Sequence, residues 1–361
     1  MAKRPPLRVG IVGCGNIAGP YARDIEKAAN LRLVAATDLD PARADALVGR
    51  HGGRAYATLD ELLAADEVDL VVNLTFQSEH ARVSRAALEA GKHVHSEKPL
   101  ALSAAEAWGL VELARARGLR LGCSPFTLMG EAQQTAWKTI RDGRVGEVRA
   151  VFCEVDWGRI ESWHPAPQPF YEVGPVSDVG IYPMSITTAM FGPVRRVQAF
   201  GRVLAPDRVT KDGVAYRVTT PDLQILVLEL ASGVVVRLTA NFYAGPPAHD
   251  PASLVFHGDT GSVWVETFMR LDCGVAAGTL GDDEYEPVPL VRAAPADMDW
   301  ARALSDLADA IADDRPHRAT GDQAAHLVDV LDAARASMAA DGRAVEVTSS
   351  FPSVAPMPWA T

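Results

Sequence analysis

The first third of the chain alternates short apolar runs with segments in which apolar residues recur every three to four positions. Short apolar runs predict β-strands, and the segments between them predict amphipathic helices. Successive strands that are joined through helices run parallel, so this region indicates a parallel α/β sheet. The predicted strands are Leu7–Val12, Leu31–Thr37, Asp69–Leu74, His93–Ser96 and Leu119–Cys123.

Signals for the starts and ends of helices agree with this order. Ser103 and Glu106 have the spacing of a capping box, in which each side chain bonds a main-chain N–H at the start of a helix. Gly91 and Gly118 directly follow helical patterns, as glycine commonly does where a helix ends. The other helices predicted here cover about Ile17–Ala29, Pro41–Gly49, Leu59–Ala65 and His80–Ala90.

The pattern changes after a helix predicted over Glu131–Arg141. From Val148 onward the strands are longer, alternate apolar and polar positions, and are separated by short glycine-containing turns, which is typical of hairpins. One further helix, about Val179–Met190, interrupts them. We therefore expect a mostly antiparallel sheet with helices on one face. Its clearest hairpins join Asp222–Leu230 to Val234–Phe242 and Leu254–His257 to Ser262–Glu266.

The length and the change of pattern indicate two domains. A chain of 361 residues is long enough for two domains of common size. We expect a first domain over residues 1–122 and a second over residues 123–345, with the late helices of residues 300–340 packing back on the first. Three prolines among the last ten residues predict a loose tail over residues 346–361.

Composition narrows the classes of function. The 35 basic and 46 acidic residues leave a net charge of −11, which disfavours binding to nucleic-acid phosphates. No apolar run approaches the roughly 20 residues of a membrane-spanning helix. The four cysteines, at 14, 123, 153 and 273, lack the paired spacing of a disulfide framework or a zinc site. We expect a cytoplasmic protein that binds neither nucleic acid nor membrane.

The first predicted strand ends in a glycine turn that suits a dinucleotide. Gly13 permits a tight turn, Gly15 lets the backbone approach a pyrophosphate, and Ala18 lets the next helix pack close to the strand. The start of that helix, with Asn16 and Ile17, offers unpaired N–H groups to the phosphates. The alternative is a purely structural turn.

Asp38 follows the second predicted strand, where a carboxylate can accept hydrogen bonds from both ribose hydroxyls of a dinucleotide. Its charge would repel the 2′-phosphate of NADP, so the sequence favours NAD. Arg43 lies a short helical turn further on and offers that phosphate a positive charge, so NADP stays an alternative. A surface aspartate without a ligand is the other alternative.

The segment Glu97-Lys98-Pro99 stands at the end of another predicted strand. Together with the glycine turn, it resembles the glucose-fructose oxidoreductase / inositol dehydrogenase family, often called the Gfo/Idh/MocA family. The resemblance covers nearly the whole chain, because further family segments follow in the same order. These are Asn73–His80, Ile140–Gly143 with Val145-Gly146, Asp178–Tyr182, Gly258–Gly261, Arg315-Pro316 and Gly321-Asp322.

The resemblance implies an α/β fold with an N-terminal Rossmann domain and a C-terminal α/β domain that has a large, open, mainly antiparallel sheet. It implies bound NAD(H) or NADP(H) and assembly into homodimers or homotetramers through that sheet. Activities in the family centre on sugars, inositols and related polyols, and some members cleave glycosides through a transient ketone. The residues it places at the cofactor are Gly13, Gly15, Asn16, Ile17, Asp38, Thr75, His80, Glu97 and Lys98. For His80, capping of a helix or packing is the alternative.

The substrate segment departs from the commonest form of the family pattern. Tyr182 stands where many members have histidine, and the acidic residue usual a few positions later is missing. The dihydrodiol/xylose dehydrogenases and glucose-fructose oxidoreductase resemble this tyrosine form. A specific substrate, inositol above all, therefore does not follow from the resemblance.

Hydride transfer from an alcohol requires a group that takes the hydroxyl proton while the nicotinamide takes the hydride. Lys98 ends a predicted strand, where open α/β sheets bind ligands, and Asp178 and Tyr182 share one face if their segment is helical. We expect Tyr182 to exchange the proton, Lys98 to stabilise charge and relay the proton, and Asp178 to orient the substrate or Lys98. The alternatives are a solvated lysine, a packed tyrosine and an aspartate that caps a helix.

A proline-rich loop over residues 161–174 and the residues just before it carry side chains that suit a sugar. Indole faces stack on the apolar faces of sugar rings, while arginine and histidine supply hydrogen bonds. A surface or oligomer-contact loop is the alternative, and no metal site is expected. The candidate substrate residues are Arg159, Trp163, His164 and Tyr171.

The sequence thus predicts an NAD(P)-dependent oxidoreductase that transfers hydride between nicotinamide and a hydroxyl-bearing carbon of a sugar, glycoside or cyclic polyol. One alternative is a glycoside-modifying enzyme that recycles its NAD through a transient keto-sugar. Another is a catalytically silent protein that senses sugars or nucleotides, which the presence of both Lys98 and Tyr182 disfavours.

Overall fold

The computed structural model describes residues 5–244, 252–295 and 298–361. The chain divides into two units. Unit 1 comprises Met1–Phe126 and Asp299–Val328, and unit 2 comprises Thr127–Met298 and Asp329–Thr361. The first boundary lies a few residues beyond the expected one at 122, and the first four residues of that expected domain lie outside the described ranges.

The elements up to residue 123 alternate between strand and helix, as the hydrophobic pattern predicts, and they include one short strand, Arg54–Ala55, that it does not predict. They are β1 (Leu7–Val12), α1 (Ala18–Lys27), β2 (Leu31–Thr37), α2 (Pro41–His51), β3 (Arg54–Ala55), α3 (Leu59–Ala64), β4 (Leu70–Asn73), α4 (His80–Glu89), β5 (His93–Ser96), α5 (Ala104–Ala116) and β6 (Leu121–Cys123). The predicted helix start is confirmed, because Ser103 accepts the main-chain N–H of Glu106 at the start of α5. The carboxylate of Glu106 accepts the hydroxyl of Ser103, so the pair shows the Ser103 half of the predicted capping box.

The elements after residue 126 include more strands than helices. They are α6 (Glu131–Arg141), β7 (Val148–Asp156), α7 (Gln168–Val173), a π-helical turn (Val176–Gly180), α8 (Ile181–Phe191), β8 (Val194–Arg202), β9 (Asp207–Val209), β10 (Ala215–Arg217), β11 (Leu223–Leu230), β12 (Val235–Asn241), β13 (Leu254–Gly258), β14 (Gly261–Val265), β15 (Val275–Thr279), β16 (Glu286–Pro287), α9 (Arg302–Ala312), α10 (Gly321–Ala339) and β17 (Val345–Glu346).

Unit 1 is built on a parallel sheet. Its described residues form six strands in the order β3-β2-β1-β4-β5-β6. This is the order of the Rossmann fold, and it reverses between β1 and β4, where doubly wound sheets bind dinucleotides. The predicted Rossmann architecture is therefore confirmed.

Both faces of the parallel sheet are covered by apolar side chains. On one face, Ile11 and Leu33 pack in a cluster with Tyr21 of α1 and Leu304 of α9. On the other face, residues of β4 and β5 pack with α4, α5 and the first part of α10. The late helix α9 thus belongs to unit 1, although about 180 residues separate it from β6 in the sequence.

Unit 2 is built on a large mixed sheet. Among the described residues it has nine strands in the order β16-β15-β14-β13-β7-β12-β11-β8-β17, of which β7 and β12 pair in parallel and the other neighbours pair antiparallel. Both predicted hairpins are confirmed, since β11 pairs with β12 and β13 with β14. A separate hairpin, β9–β10, has no counterpart in the prediction.

The end of the chain differs from the loose tail that its prolines predict. Ala360 is buried, the main-chain N–H of Met357 donates to Gln134 of α6 at 2.8 Å, and Arg292 lies 3.8 Å from the ring of Trp359. Prolines stop a helix but do not prevent an extended segment from packing, and apolar residues between them give this segment something to bury.

In the part of the chain that the structure describes, none of the helices has both the length and the apolar character of a membrane-spanning segment.

Candidate active site

The C-terminal ends of the parallel strands of unit 1 meet along one edge of the sheet. Strand pairing aligns the last residues of β2, β1, β4, β5 and β6, namely Thr37, Val12, Asn73, Ser96 and Cys123. The distance from β2 to β5 is three strand spacings, about 14 Å. The residues that follow within two positions, in order along this edge, are Asp38, Gly13, Thr75, Lys98 and Ser124.

The turn after β1 requires glycine at one position and leaves open space at another. Gly13 has φ of +91°, and a Cβ there would lie 2.8 Å from the main chain of Leu74 and 2.9 Å from the nitrogen of Thr75. This close approach joins the β1 turn to the end of β4. A Cβ at Gly15, in contrast, would meet no atom within 4 Å, so the backbone there is open to a ligand.

The start of α1 suits an anion. Ile17 precedes the helix without a side-chain hydrogen bond to its first N–H groups, and the first turn has no acidic residue. Asn16 beside it is exposed. Uncapped N–H groups and the positive end of the helix dipole favour a pyrophosphate at this place. Together with the open space at Gly15, these residues fit the dinucleotide expected from the sequence.

Asp38 is held at the end of β2 by two main-chain N–H groups. One carboxylate oxygen accepts the N–H of Cys14 at 2.6 Å, and the other accepts the N–H of Asp40 at 2.9 Å. Arg43 pairs with Asp40 at 3.4 Å. Burial, and then the negative charge of Asp38, raise the pKa of the Cys14 thiol to about 12, so this cysteine stays protonated at neutral pH.

Two of the expected cofactor residues have structural contacts instead. His80 is 1% exposed, and both of its ring nitrogens face main-chain carbonyls. Glu97 is also buried, and its carboxylate accepts hydrogen bonds from Tyr21 at 2.7 Å and Ser124 at 3.0 Å. The surroundings of these two side chains therefore favour a structural role over direct contact with a cofactor.

Lys98 and Thr75 adjoin these two buried side chains. Lys98 is half-buried, and its main-chain N–H donates to the carboxylate of Glu97 at 3.2 Å. The hydroxyl of Thr75 donates to Asn73 at 2.7 Å, which fixes the segment that leaves β4. The sequence offers no local signal for Tyr21, which lies 76 positions from Glu97 and meets it through the fold.

In unit 2, the expected catalytic pair stands where a π-helical turn passes into α8. Asp178 lies in the turn and is 4% exposed, while Tyr182 lies in the first turn of α8 and is 7% exposed. The ring of Tyr182 packs 6.2 Å from that of Phe268. π-Helical turns are rare and are often found at functional sites.

The predicted aromatic loop divides into an exposed part and a buried part. Trp163 is 46% exposed, and its ring meets those of His164 and Phe170 edge to face at 5.5 and 5.7 Å. Arg159 lies 5.1 Å from the ring of Tyr243. The rings of His164 and Phe170 are 4.8 Å apart, so the exposed part forms a cluster of three rings.

Tyr171 belongs to the buried part of the loop. Its hydroxyl donates to Glu161 at 2.6 Å, and Arg208 lies 4.5 Å from its ring centre. Arg208 is almost fully buried between Glu161, at 2.8 Å, and Asp222, at 2.6 Å. Tyr171 thus holds the loop in place, and direct contact with a substrate, which the sequence predicts, is not favoured.

The sequence does not predict the contacts of Glu161 with Tyr171 and Arg208. Burial alone would raise the pKa of Glu161, but hydrogen bonds from Tyr171 and Arg208 outweigh it and hold the pKa below its usual value. Arg208 comes from the unpredicted β9–β10 hairpin. Within the described part of the chain, no group of histidine, cysteine and acidic side chains has a metal-binding arrangement.

Comparisons with known proteins agree with both units. Residues 7–124 match the model of an oxidoreductase family with an NAD-binding Rossmann fold, and residues 133–264 match the model of the GFO/IDH/MocA C-terminal domain. An NAD-binding oxidoreductase from Klebsiella pneumoniae shares the fold, with a TM-score of 0.84 and 21% identity over 95% of this chain and 100% of that chain.

Two curated relatives are similar in sequence. A dTDP-3,4-didehydro-2,6-dideoxy-alpha-D-glucose 3-reductase from Streptomyces antibioticus is 31% identical over 234 residues, which cover 64% of this chain and 70% of the relative. An inositol 2-dehydrogenase from Rhizobium meliloti is 28% identical over 290 residues, which cover 79% of this chain and 82% of the relative.

Proposed function

Because the chain belongs to the Gfo/Idh/MocA family of NAD(P)-dependent oxidoreductases, we propose that it transfers hydride between a nicotinamide dinucleotide and a hydroxyl-bearing carbon of a sugar, glycoside or cyclic polyol. The observation that carries the proposal is the edge of the parallel sheet where Gly13, Asp38, Thr75 and Lys98 lie in one row. Doubly wound sheets bind dinucleotides across such an edge.

We propose NAD rather than NADP as the cofactor. The carboxylate of Asp38 is fixed by two main-chain N–H groups, so it cannot easily turn away from a 2′-phosphate and would repel it. Arg43, which could attract that phosphate, makes an exposed ion pair with Asp40, so NADP stays the alternative. Gly13, Gly15, Asn16 and Ile17 would hold the pyrophosphate.

When bound, the nicotinamide supplies the hydride or accepts it. The remaining chemistry is proton transfer at the substrate oxygen, and we assign it to Tyr182. The ammonium group of Lys98 stabilises negative charge on that oxygen or on the phenolate, and Asp178 orients the substrate hydroxyl.

We propose that the exposed part of the aromatic loop contacts the substrate. The half-exposed indole of Trp163 offers a face for the apolar side of a sugar ring, and Arg159 and His164 offer hydrogen bonds. Tyr171 supports this surface from below through Glu161.

The test is an assay of the purified protein with NAD and a panel of aldoses, inositols and glycosides, in which cofactor reduction is followed by near-ultraviolet absorbance. We expect reduction with at least one of them. Lys98→Met should still bind NAD while its turnover collapses, because the side chain keeps its length and loses its charge. Wild-type protein that binds NAD but reduces it with no member of a broad panel would contradict the proposal, and product without net reduction would indicate internal recycling of the cofactor.

We also propose that the open face of the nine-stranded sheet joins two copies of the chain. Pairing places Val227, Arg237, Phe152, Val255 and Trp264 side by side on this face. Phe152 and Val227 are more than a third exposed, and Phe200 on β8 is 53% exposed. A broad, partly apolar surface of this kind is typical of subunit interfaces.

Sedimentation velocity of Phe152→Asp tests this interface. We expect the wild type to sediment as a dimer or tetramer and this variant as a smaller species, because a charge would be buried at the interface. Val209→Asp is the matched control, since Val209 is also exposed but lies on the separate β9–β10 hairpin. A wild type that is monomeric at all concentrations would refute the interface.

A further inference from the structure

His80 lies between two segments that leave the parallel sheet side by side. It is the first residue of α4. Its Nδ1 is 2.7 Å from the carbonyl oxygen of Pro99, which follows Lys98 directly, and its Nε2 is 3.0 Å from the carbonyl oxygen of Thr75. All of these residues belong to unit 1. The ring therefore spans the gap between the segment after β4 and the segment after β5.

The chemistry of the two partners limits what the ring can do. Carbonyl oxygens only accept hydrogen bonds, and a neutral imidazole has a single N–H to donate. Burial, the largest effect, lowers the pKa of His80, although both carbonyls and Glu97 act in the opposite direction. Each nitrogen lies within hydrogen-bond distance of a carbonyl, so a ring that carries both protons donates to both carbonyls and a neutral ring donates to one. For the neutral ring, the shorter distance favours the bond from Nδ1 to Pro99.

The position of the ring is itself fixed from the sheet. The side-chain amide of Asn73, the last residue of β4, donates to the main-chain oxygen of His80 at 3.0 Å and to Ser84 at 3.1 Å. The oxygen of the same amide accepts the hydroxyl of Thr75 at 2.7 Å. Asn73, Ser84 and His80 are all buried, so these bonds are shielded from competing water.

Lys98 is thus anchored on both sides. On its N-terminal side, Glu97 is tied to Tyr21 and Ser124. On its C-terminal side, the carbonyl of Pro99 is tied to His80. A residue whose neighbours are both fixed has little freedom in its main chain, and its side chain starts from one defined point.

We propose that His80 is a positioning residue: by bonding Pro99 and spacing it from Thr75, it sets where Lys98 stands in the active site. This inference rests on the proposed role of Lys98. It gives His80 a part in turnover although its buried ring is directed at main-chain oxygens.

Three substitutions separate the two contacts of the ring. His80→Phe keeps the size of the ring and removes both nitrogens. His80→Asn places an amide N–H near the position of Nδ1, so it can restore the bond to Pro99. His80→Gln places its amide near the position of Nε2, so it can reach Thr75 but not Pro99.

We expect His80→Phe and His80→Gln to lower kcat on the order of 10- to 100-fold while the Kd for NAD changes less than about threefold. His80→Asn should regain most of the kcat. If all three variants keep the wild-type kcat, or if His80→Asn is as slow as His80→Phe, the proposal is wrong.

His93→Phe is the matched control. His93 lies at the other end of β5, where its Nδ1 accepts the N–H of Arg120 at 2.9 Å. Its loss should lower the melting temperature without changing kcat. Loss of kcat in His93→Phe equal to that in His80→Phe would mean that any lost histidine of this sheet slows the enzyme, and it would refute the special role of His80.

Amide hydrogen exchange of the cofactor-free protein tests the anchor without any turnover. In His80→Phe, peptides that cover residues 74–79 and 97–101 should exchange about tenfold faster or more, while peptides of β1 stay unchanged. Unchanged exchange in both peptides refutes the anchor, whatever the substrate is. A wild type without activity on sugars refutes the proposed function instead, and the exchange result still stands.

Discussion

Gly13 and Gly15 make a sharp test of the cofactor site, because alanine at these neighbouring positions should have opposite effects. At Gly13, alanine would have φ of +91° and its Cβ would lie 2.8 Å from the carbonyl group of Leu74. At Gly15, alanine would have neither problem, since no atom lies within 4 Å and the backbone is outside the left-handed region.

The magnitudes follow from these two environments. Left-handed backbone costs a non-glycine residue about 1–2 kcal/mol, and a forced contact with main chain costs about 1–3 kcal/mol. Gly13→Ala should therefore lower the free energy of unfolding by about 2–5 kcal/mol. Gly15→Ala should leave it unchanged or raise it by about 0.4–1 kcal/mol, because alanine restricts the unfolded chain.

The affinity for NAD should not follow the stability of these variants. The open space at Gly15 is the place proposed for the pyrophosphate, and a methyl group there would crowd it at a cost of about 1–3 kcal/mol. That cost corresponds to a loss of affinity of about 5- to 150-fold. We expect Gly15→Ala to be at least as stable as the wild type and a much weaker binder.

The assays are urea unfolding followed by circular dichroism and calorimetric titration with NAD. Gly49→Ala is the control for alanine itself, because Gly49 lies in α2 with no atom within 4 Å of its Cβ. Gly15→Ala that binds NAD as tightly as the wild type would refute the placement of the pyrophosphate. Gly13→Ala with wild-type stability would refute the close approach between β1 and β4.

Three further predictions concern the two units separately. Asp38→Ser should raise the ratio of kcat/KM for NADP to that for NAD about tenfold or more, and an unchanged ratio would contradict the role of its charge. Arg208→Met should lower the free energy of unfolding by about 3–5 kcal/mol in urea, because it leaves the buried carboxylate of Asp222 and the largely buried carboxylate of Glu161 without a counter-charge. The folded-state pKa of Glu161 is lowered, so its stabilising bonds are complete above the unfolded pKa of about 4.3 and are lost as pH falls through the folded pKa. Arg208→Met should reduce this part of the acid-side loss of stability, and the hydrogen bond from Tyr171 should keep the rest. Trp163→Ala should raise the KM for the sugar about 5- to 100-fold and leave the Kd for NAD unchanged, and an unchanged KM would exclude Trp163 from the substrate surface.

The parts of the fold that the sequence predicted are those with local signals. Alternating apolar runs located the strands of the Rossmann sheet, and the glycine turn identified its ligand-binding edge. The capping pair Ser103 and Glu106 and the hairpin turns are likewise encoded within a few residues. Residues close together in the chain determine these turns and helix starts, so they can be predicted without knowledge of the fold.

The parts that the sequence missed depend on contacts between distant positions. Tyr21 meets Glu97 only because α1 packs beside the end of β5, and nothing near Glu97 announces that its carboxylate is buried. Arg208 likewise meets Glu161 across 47 positions of the chain, and its guanidinium also contacts Asp222. For Glu97, the family resemblance identified the segment, but the contacts of its side chain depend on packing that only the structure shows.

The wide turn at Val176–Gly180 has a consequence for how this chain is compared with others. A π-helical turn closes its hydrogen bonds one residue later than an α-helical turn, so it holds one residue more in the same rise. A relative whose helix begins without it would lack one position here. Its alignment with this chain then needs a gap of one residue before Ile181. Without that gap, Asp178 would be aligned with a residue of the relative that lies one position away from its true counterpart. Substrate residues in this family are therefore best matched after the turn has been located in each structure.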